Sequence, residues 1–298
     1  MKRRTFLKSS SLAAVGAGTV RVANAEIPDP VIFGITPSLN AYSFNQALQE
    51  EGMSLNQLFE YAAETGLSAV DLTAYYIPGY PEVPGDQLLY EIKRKAFRKG
   101  ISFSGTGVRN DFTLSDAGEL AREIDHVKAW IVAASKLGAP NIRVFDGKAP
   151  SLNNSSSPVH QQLIEAFREC ARFGARHGVY VALQNHYDFL INTEEIIDII
   201  QGVDSEWFGL MLDTGSVSGP DPYTEIEKLI PYAVTWQVKE EVRTGNGPEA
   251  LDIERLIGLL QKHHYQGFLP LETLGDGDPH SKVKALYQKI DYFLQGHS

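Results

Sequence analysis

A single cysteine, Cys170, occurs among 298 residues, so no disulfide can form within the chain. Cys170 falls on the apolar stripe of a predicted helix. The expectation there is a small buried hydrophobe, since a nucleophilic thiol needs a polar neighbourhood that lowers its pKa. Beyond the N-terminal segment there is no apolar run long enough to cross a bilayer. No stretch is rich enough in Pro, Gly or Ser to mark a linker, so one large domain is expected over 26–298. Positive charge is scarce as well. Lys2, Arg3, Arg4, Lys8 and Arg21 all lie in the first 25 residues, and without them 22 basic side chains face 37 acidic ones. A surface with a formal charge near −15 repels phosphate backbones and anionic lipids, and no basic patch offsets it. Nucleic acid is therefore excluded as a partner, and neutral small molecules are favoured. What is present is ordinary globular material: 43% hydrophobic and 10% aromatic residues, enough for a sizeable core.

The first 25 residues have the build of an export signal. Lys2-Arg3-Arg4 opens the segment, a weakly apolar stretch of small residues follows, and Ala23-Asn24-Ala25 closes it as a cleavage site. The paired arginines with Thr5-Phe6-Leu7-Lys8 resemble the twin-arginine type. That resemblance implies a protein folded before export, working in the periplasm from about Glu26 and not inserted in the membrane after cleavage.

From residue 30 onward, short β-rich runs alternate with longer helical patterns. The predicted strands are Gly34–Asn40, Ala69–Thr73, Ile101–Gly105, Asn141–Phe145, Tyr180–Gln184, Gly209–Asp213, Val234–Val238 and Phe268–Glu272. Helical stretches centre on 54–65, 86–99, 119–137, 159–177, 193–201, 222–230, 252–264 and 279–295. Eight strand–helix alternations predict an α/β protein, a (β/α)8 TIM barrel. Helix starts are written at Ser157-Pro158 and Asp221-Pro222, where a capping side chain precedes a proline whose missing N–H costs nothing. Gly178 is a predicted helix stop. Residues 148–157 read as a long loop after the fourth strand, overhanging the site.

In such a barrel the chemistry sits at the C-terminal ends of the strands. Those ends carry Asn40 and Tyr42, Asp71 and Tyr75, Thr106 to Asp111 (with Asn110 among them), and Arg143 with Asp146. The later strands carry Gln184 with His186, Asp213, Gln237 with Lys239 and Glu240, and Glu272. Arg143 and Asp146 could pair with each other or bind substrate hydroxyls. Tyr42, Phe44, Tyr75, Tyr76, Tyr80 and Phe112 could form a stacking wall, or equally a hydrophobic cluster between loops. His263 and His264 fall at a helix end on the opposite face and are expected to be structural.

The runs Leu183-Gln184-Asn185-His186, Leu212-Asp213-Thr214-Gly215, Trp236-Gln237-Val238-Lys239 and Leu271-Glu272-Thr273 resemble four strand ends of the sugar phosphate isomerase/epimerase family, within the xylose-isomerase-like barrels. The resemblance implies a single divalent cation held at these positions, usually by Glu, Asp, His and Glu. Carried over, the ligands are Gln184, Asp213, Gln237 and Glu272. Two of them depart from the pattern, with Gln184 in place of glutamate and Gln237 in place of histidine. An all-oxygen set of formal charge −2 suits Mn2+ or Mg2+, with Ca2+ also compatible, better than Zn2+.

The same resemblance implies paired glutamates that move protons. Glutamine cannot do this, so Gln184 removes one partner. The remaining expected catalytic residues are Glu272, His186, Lys239 and Glu240. Asn40, Tyr42, Tyr75, Asn110, Arg143 and Asp146 are the candidate substrate contacts. The reading is a metal-dependent carbohydrate isomerase or epimerase that takes a proton from a carbon next to a carbonyl. A lyase acting on a keto-glycoside by β-elimination and a non-catalytic sugar-binding barrel stay open beside it. An endonuclease IV-like phosphodiesterase would need a histidine-rich cluster that these strand ends lack. The small-molecule partner is a carbohydrate, and a homo-oligomer is compatible with everything read so far.

Overall fold

The computed structural model describes residues 34–148, 157–186, 189–190, 192–217 and 219–297. The export signal read from residues 1–25, and most of the expected loop 148–157, lie outside the described residues.

The first seven strands are Ile35–Asn40 (β1), Ala69–Thr73 (β2), Ser102–Gly107 (β3), Asn141–Val144 (β4), Tyr180–Gln184 (β5), Phe208–Asp213 (β6) and Ala233–Lys239 (β7). A hairpin of Glu241–Thr244 (β8) and Gly247–Ala250 (β9) follows, and Gly267–Glu272 (β10) comes last. Seven strands and β10 close into a parallel barrel in the order β1-β2-β3-β4-β5-β6-β7-β10, with β10 returning to β1. This is the expected (β/α)8 TIM barrel, one domain, and every barrel strand ends within two residues of its expected C-terminal end.

Helices run between the strands and cover their outer face. Leu183, Leu212, Trp236 and Leu271 are fully buried in the layer between barrel and helices. Strand alternation then turns the next residue of each strand, Gln184, Asp213, Gln237 and Glu272, into the barrel. One period-2 pattern thus builds the core and aims the site.

The helix boundaries follow from their caps. The Ser157 hydroxyl accepts from the His160 amide with Pro158 at the first helical position, and Asp221 caps Pro222–Leu229 from the Tyr223 amide. Ser54 and Gln57 form a capping box at the start of Leu55–Thr65. Gly178 ends Pro158–His177 in the left-handed conformation. Cys170 is fully buried on that helix, and burial pushes its thiol up to about 12, so it is the inert hydrophobe expected.

Two elements were not expected. A short helix, Asn45–Gln49, follows β1, and the β8–β9 hairpin stands beside the barrel after β7. A cavity of about 660 Å3 opens at the N-terminal mouth, lined in part by Asn141, Thr235, His263 and His264. His263 and His264 therefore lie at the end remote from the strand ends read as the site, as expected.

Candidate active site

At the C-terminal mouth, β6, β7 and β10 bring together one network. Register places Asp213 beside Gln237 and Lys239 beside Glu272. The Lys239 ammonium donates to Glu272 Oε1 and lies 3.7 Å from Asp213 Oδ2. Gln237 Nε2 donates to Glu272 Oε2, and Gln184 Nε2 donates to Asp213 Oδ2 at 2.7 Å. Ser216 Oγ adds a donor to the same Asp213 oxygen at 3.1 Å, and the Gly215 amide bonds Oδ1 at 3.0 Å. Asn185 locks the strand end by exchanging two bonds with the Asp213 backbone, at 2.9 and 2.8 Å. Asp213 and Glu272 are almost wholly buried.

Burial pushes the Glu272 carboxyl up to about 7, with Asp213 reinforcing the rise and Lys239 and Arg143 opposing it. Burial works against the Lys239 ammonium too, yet the charges of Asp213 and Glu272 outweigh it and raise its pKa. The pair is a buried acid near neutrality in contact with a cation that keeps its proton.

The four expected metal-ligand positions do converge. The cation against their two carboxylates is the Lys239 ammonium. Both glutamines turn their NH2 groups to the carboxylates, which is the orientation acceptor oxygens demand, and an amide nitrogen of this kind does not ligate a cation. Among the described residues no three His, Cys, Asp or Glu side chains gather in a metal-holding group. A divalent ion at ~4 Å from Lys239 would meet a repulsion of roughly 8 kcal/mol at the effective dielectric of partly buried sites. The donor set therefore fits the expected Mn2+ or Mg2+ poorly. The departures at Gln184 and Gln237 mark the physical reason: each gives a carboxylate a hydrogen-bond donor where a ligand was expected.

On the β2–β4 side a second group forms around Arg143. Its Nη1 donates to Val108 O at 2.6 Å and to Tyr75 Oη at 3.1 Å, and its guanidinium lies 4.2 Å from the Phe145 ring centroid. Gly107 makes this approach possible, because a Cβ there would sit 2.8 Å from Arg143 Nε. Asp71, opposite Asn40 in register, is 2% exposed and its Oδ2 has no hydrogen-bond partner among the described residues. Burial pushes it up to about 6, against the pull of Arg143. Tyr42 is 37% exposed, and burial, reinforced by Tyr42 and Glu272, raises the Tyr76 phenol, so both tyrosines border the Glu272 network.

Other expected site residues stand elsewhere. Glu240 faces outward, since the alternation that turns Lys239 inward turns its neighbour away; its carboxylate meets Lys282 Nζ at 3.0 Å. Asp146 does not pair with Arg143. Its Oδ2 accepts from the Phe189 and Leu190 amides at 3.1 and 2.5 Å and so fastens the loop after β5. Asn110 exchanges two 2.8 Å bonds with the Phe145 backbone and extends the pairing of β3 with β4. The Asn40 side chain accepts from the Tyr42 amide at 2.9 Å and sets the turn that presents Tyr42. His186 packs edge-on to Phe145, 5.3 Å between ring centroids, on the Arg143 side of the mouth. Phe44 and Phe112 belong to the core, whereas Tyr42, Tyr75, Tyr76 and Tyr80 gather at the mouth. Asp71 and Ser216 are the features the strand-end reading left without a role.

A parallel eight-stranded barrel with acids, amides and a lysine at its C-terminal mouth defines the class: a TIM-barrel protein whose site is built on strand ends. Within it, the chain belongs to the xylose isomerase-like TIM barrel family, which matches residues 59–293. Solved structures with the same fold include D-psicose 3-epimerase from Clostridium cellulolyticum H10, at TM-score 0.71 and 16% identity over 87% of this chain and 99% of that one. The 3-keto-D-glucoside 4-epimerase of E. coli aligns at TM-score 0.69 and 14% identity, covering 86% and 99%. A probable 3-DHS dehydratase from Bacillus anthracis aligns at 0.66 and 16%, covering 87% and 98%. No curated protein matches the chain by sequence.

Proposed function

We propose that the chain is an enzyme of the sugar isomerase/epimerase type in which Glu272 takes a proton from the carbon next to a carbonyl of a keto sugar. The observation that carries this reading is the buried Glu272 carboxyl, near neutral pKa, held by Lys239 and Gln237 at the mouth of the barrel. A base of that pKa is matched to proton transfer at physiological pH. The C–H electron pair becomes the new C=C bond, the carbonyl pair moves to oxygen as an enolate, and the proton rests on Glu272. Arg143 and the tyrosines at the mouth supply donors and ring faces for sugar hydroxyls and the sugar ring.

Gln184 cannot accept a proton, so Glu272 lacks the second glutamate of a proton-moving pair. Return of the proton to the neighbouring carbon gives the isomer, whereas the epimer requires a proton donor on the opposite face of the enolate, which Glu272 alone does not supply. Loss of a group from the β carbon would make the enzyme a lyase on a keto-glycoside, and this second reading follows from the same lone base. The neighbouring structures carry names of both kinds, epimerases and a dehydratase, which supports carbanion chemistry on this scaffold without choosing between outcomes. The N-terminal segment supports an exported, periplasmic enzyme, and such a location favours unphosphorylated substrates.

The test is deuterium incorporation from D2O into a panel of free keto sugars and 3-keto-glycosides, read by NMR. Exchange at the carbon beside the carbonyl, lost in Glu272→Gln, is the expected result. Binding without exchange across the panel would overturn the reading and leave the sugar-binding barrel.

A further inference from the structure

We propose that the Lys239 ammonium is the permanent cation of this site, taking the place of a divalent ion between Asp213 and Glu272 and stabilising the enolate oxygen, so that turnover needs no metal. The role given to the enolate rests on the proton-abstraction reading above; the occupancy of the cation position by Lys239 stands on geometry alone.

Three features hold the ammonium there. Its contacts are with Glu272 Oε1 and, at 3.7 Å, Asp213 Oδ2, the two charged members of the four converging positions. Its backbone is pinned where β7 passes β6, because the Lys239 amide donates to Thr214 Oγ1 at 2.9 Å. Its stem crosses Gly215, where an added Cβ would lie 2.6 Å from Lys239 Cγ and 3.1 Å from its Cβ. Asp213, Thr214 and Gly215 are consecutive, so one strand end supplies the acid, the pin and the gap. The glutamines complete the arrangement by giving each carboxylate a neutral donor, leaving two negative charges and one positive one in a buried pocket.

The ammonium's N–H groups also limit what it can do. A lysine that forms an imine with a carbonyl attacks as the free amine and is activated by losing its proton more easily. Here both acids keep the proton in place, so Lys239 acts as a charge and a hydrogen-bond donor, and the substrate carbonyl is polarised rather than captured.

The experiment pairs a binding readout with turnover on the whole protein. Thermal unfolding of chelator-treated wild type is followed with and without Mn2+, beside Lys239→Met and Gly215→Ala. Wild type is expected to show no Mn2+-dependent rise in Tm and to keep its D2O exchange rate within twofold after chelation. Lys239→Met, with its two carboxylates no longer facing a cation, is expected to lose exchange by about 100-fold or more, the scale of a removed oxyanion donor. It should also gain a Mn2+-dependent rise in Tm. Gly215→Ala, which moves the stem without removing the charge, should fall between the two. Stoichiometric metal in wild type, or exchange lost on chelation and restored by Mn2+, would overturn the proposal. So would a substrate trapped on Lys239 by borohydride. If no keto sugar exchanges with wild type, the proton-abstraction reading fails, while the Mn2+ titrations still decide whether Lys239 holds the cation position.

Discussion

The two sides of the barrel mouth contain the same ingredients, acid and cation, arranged in opposite ways. On the β6–β7–β10 side the Lys239 ammonium touches Glu272, stands 3.7 Å from Asp213, and every acid receives a further donor from a glutamine. On the β2–β4 side Arg143 spends its Nη1 on a backbone carbonyl and on Tyr75, and Asp71 is left with an oxygen that meets no donor among the described residues. Direct contact makes the first side a charge network whose members hold one another. Coulombic reach without contact makes the second a buried acid under strain from desolvation, beside a cation fixed for other work. Charge for chemistry and charge for positioning are thereby separated across one mouth.

The comparison breaks most visibly at Glu272. Glu272→Gln should lower D2O exchange by about 10^3-fold with the far-UV circular dichroism unchanged, within the usual range for a removed general base. In wild type the exchange rate should rise with pH through about 7, as Glu272 ionises, and a profile flat from pH 5 to 9 would remove it as the base. On the other side, Arg143→Met should cost roughly 3 kcal/mol in denaturant unfolding, because Val108 O loses its donor and Asp71 its nearby cation.

Asp71→Asn should act in the reverse direction. Burial pushes the folded carboxyl up to about 6 from its ordinary 3.8, so its proton is bound more tightly in the folded chain. The stabilising effect of that proton is complete below pH 3.8 and is lost as pH rises through 6. The asparagine variant, uncharged throughout, should therefore be more stable than wild type by ~2 kcal/mol at pH 8 and equal to it near pH 4. A Tm difference independent of pH would contradict the assignment. The smallest effect is expected from Glu240→Gln, which breaks a half-exposed pair with Lys282. Exchange should change less than twofold and stability by under ~1 kcal/mol.

The barrel was legible because its two signals, eight alternations and their caps, are local. Strand ends were legible for the same reason, since Leu183-Gln184, Leu212-Asp213 and Leu271-Glu272 each mark where core residues give way to the site. The role of Lys239 was open to sequence only in part. Its spacing from Gln237 puts both on one face, but its partners lie on β6 and β10 and meet it only when the barrel closes. Which end of each glutamine faces the acids is likewise a property of the assembled site. Asp146 and Asn110, read from sequence as substrate contacts, bond backbone amides in the folded chain, since a polar residue after a strand serves those as readily as a substrate. The β8–β9 hairpin carried its signal at the two turn residues Gly245-Asn246, but its strands are short, largely exposed and poor in alternation.

The barrel order has a consequence in time. Asp213 and Lys239 leave the ribosome well before Glu272, and β10 must insert between β7 and β1 before the lysine finds its second acid. Until that last strand is seated, the ammonium has only one of its two counter-charges. Ring closure and completion of the site are thus one event, and a chain still being made, or stalled before its final strand, is silent by construction.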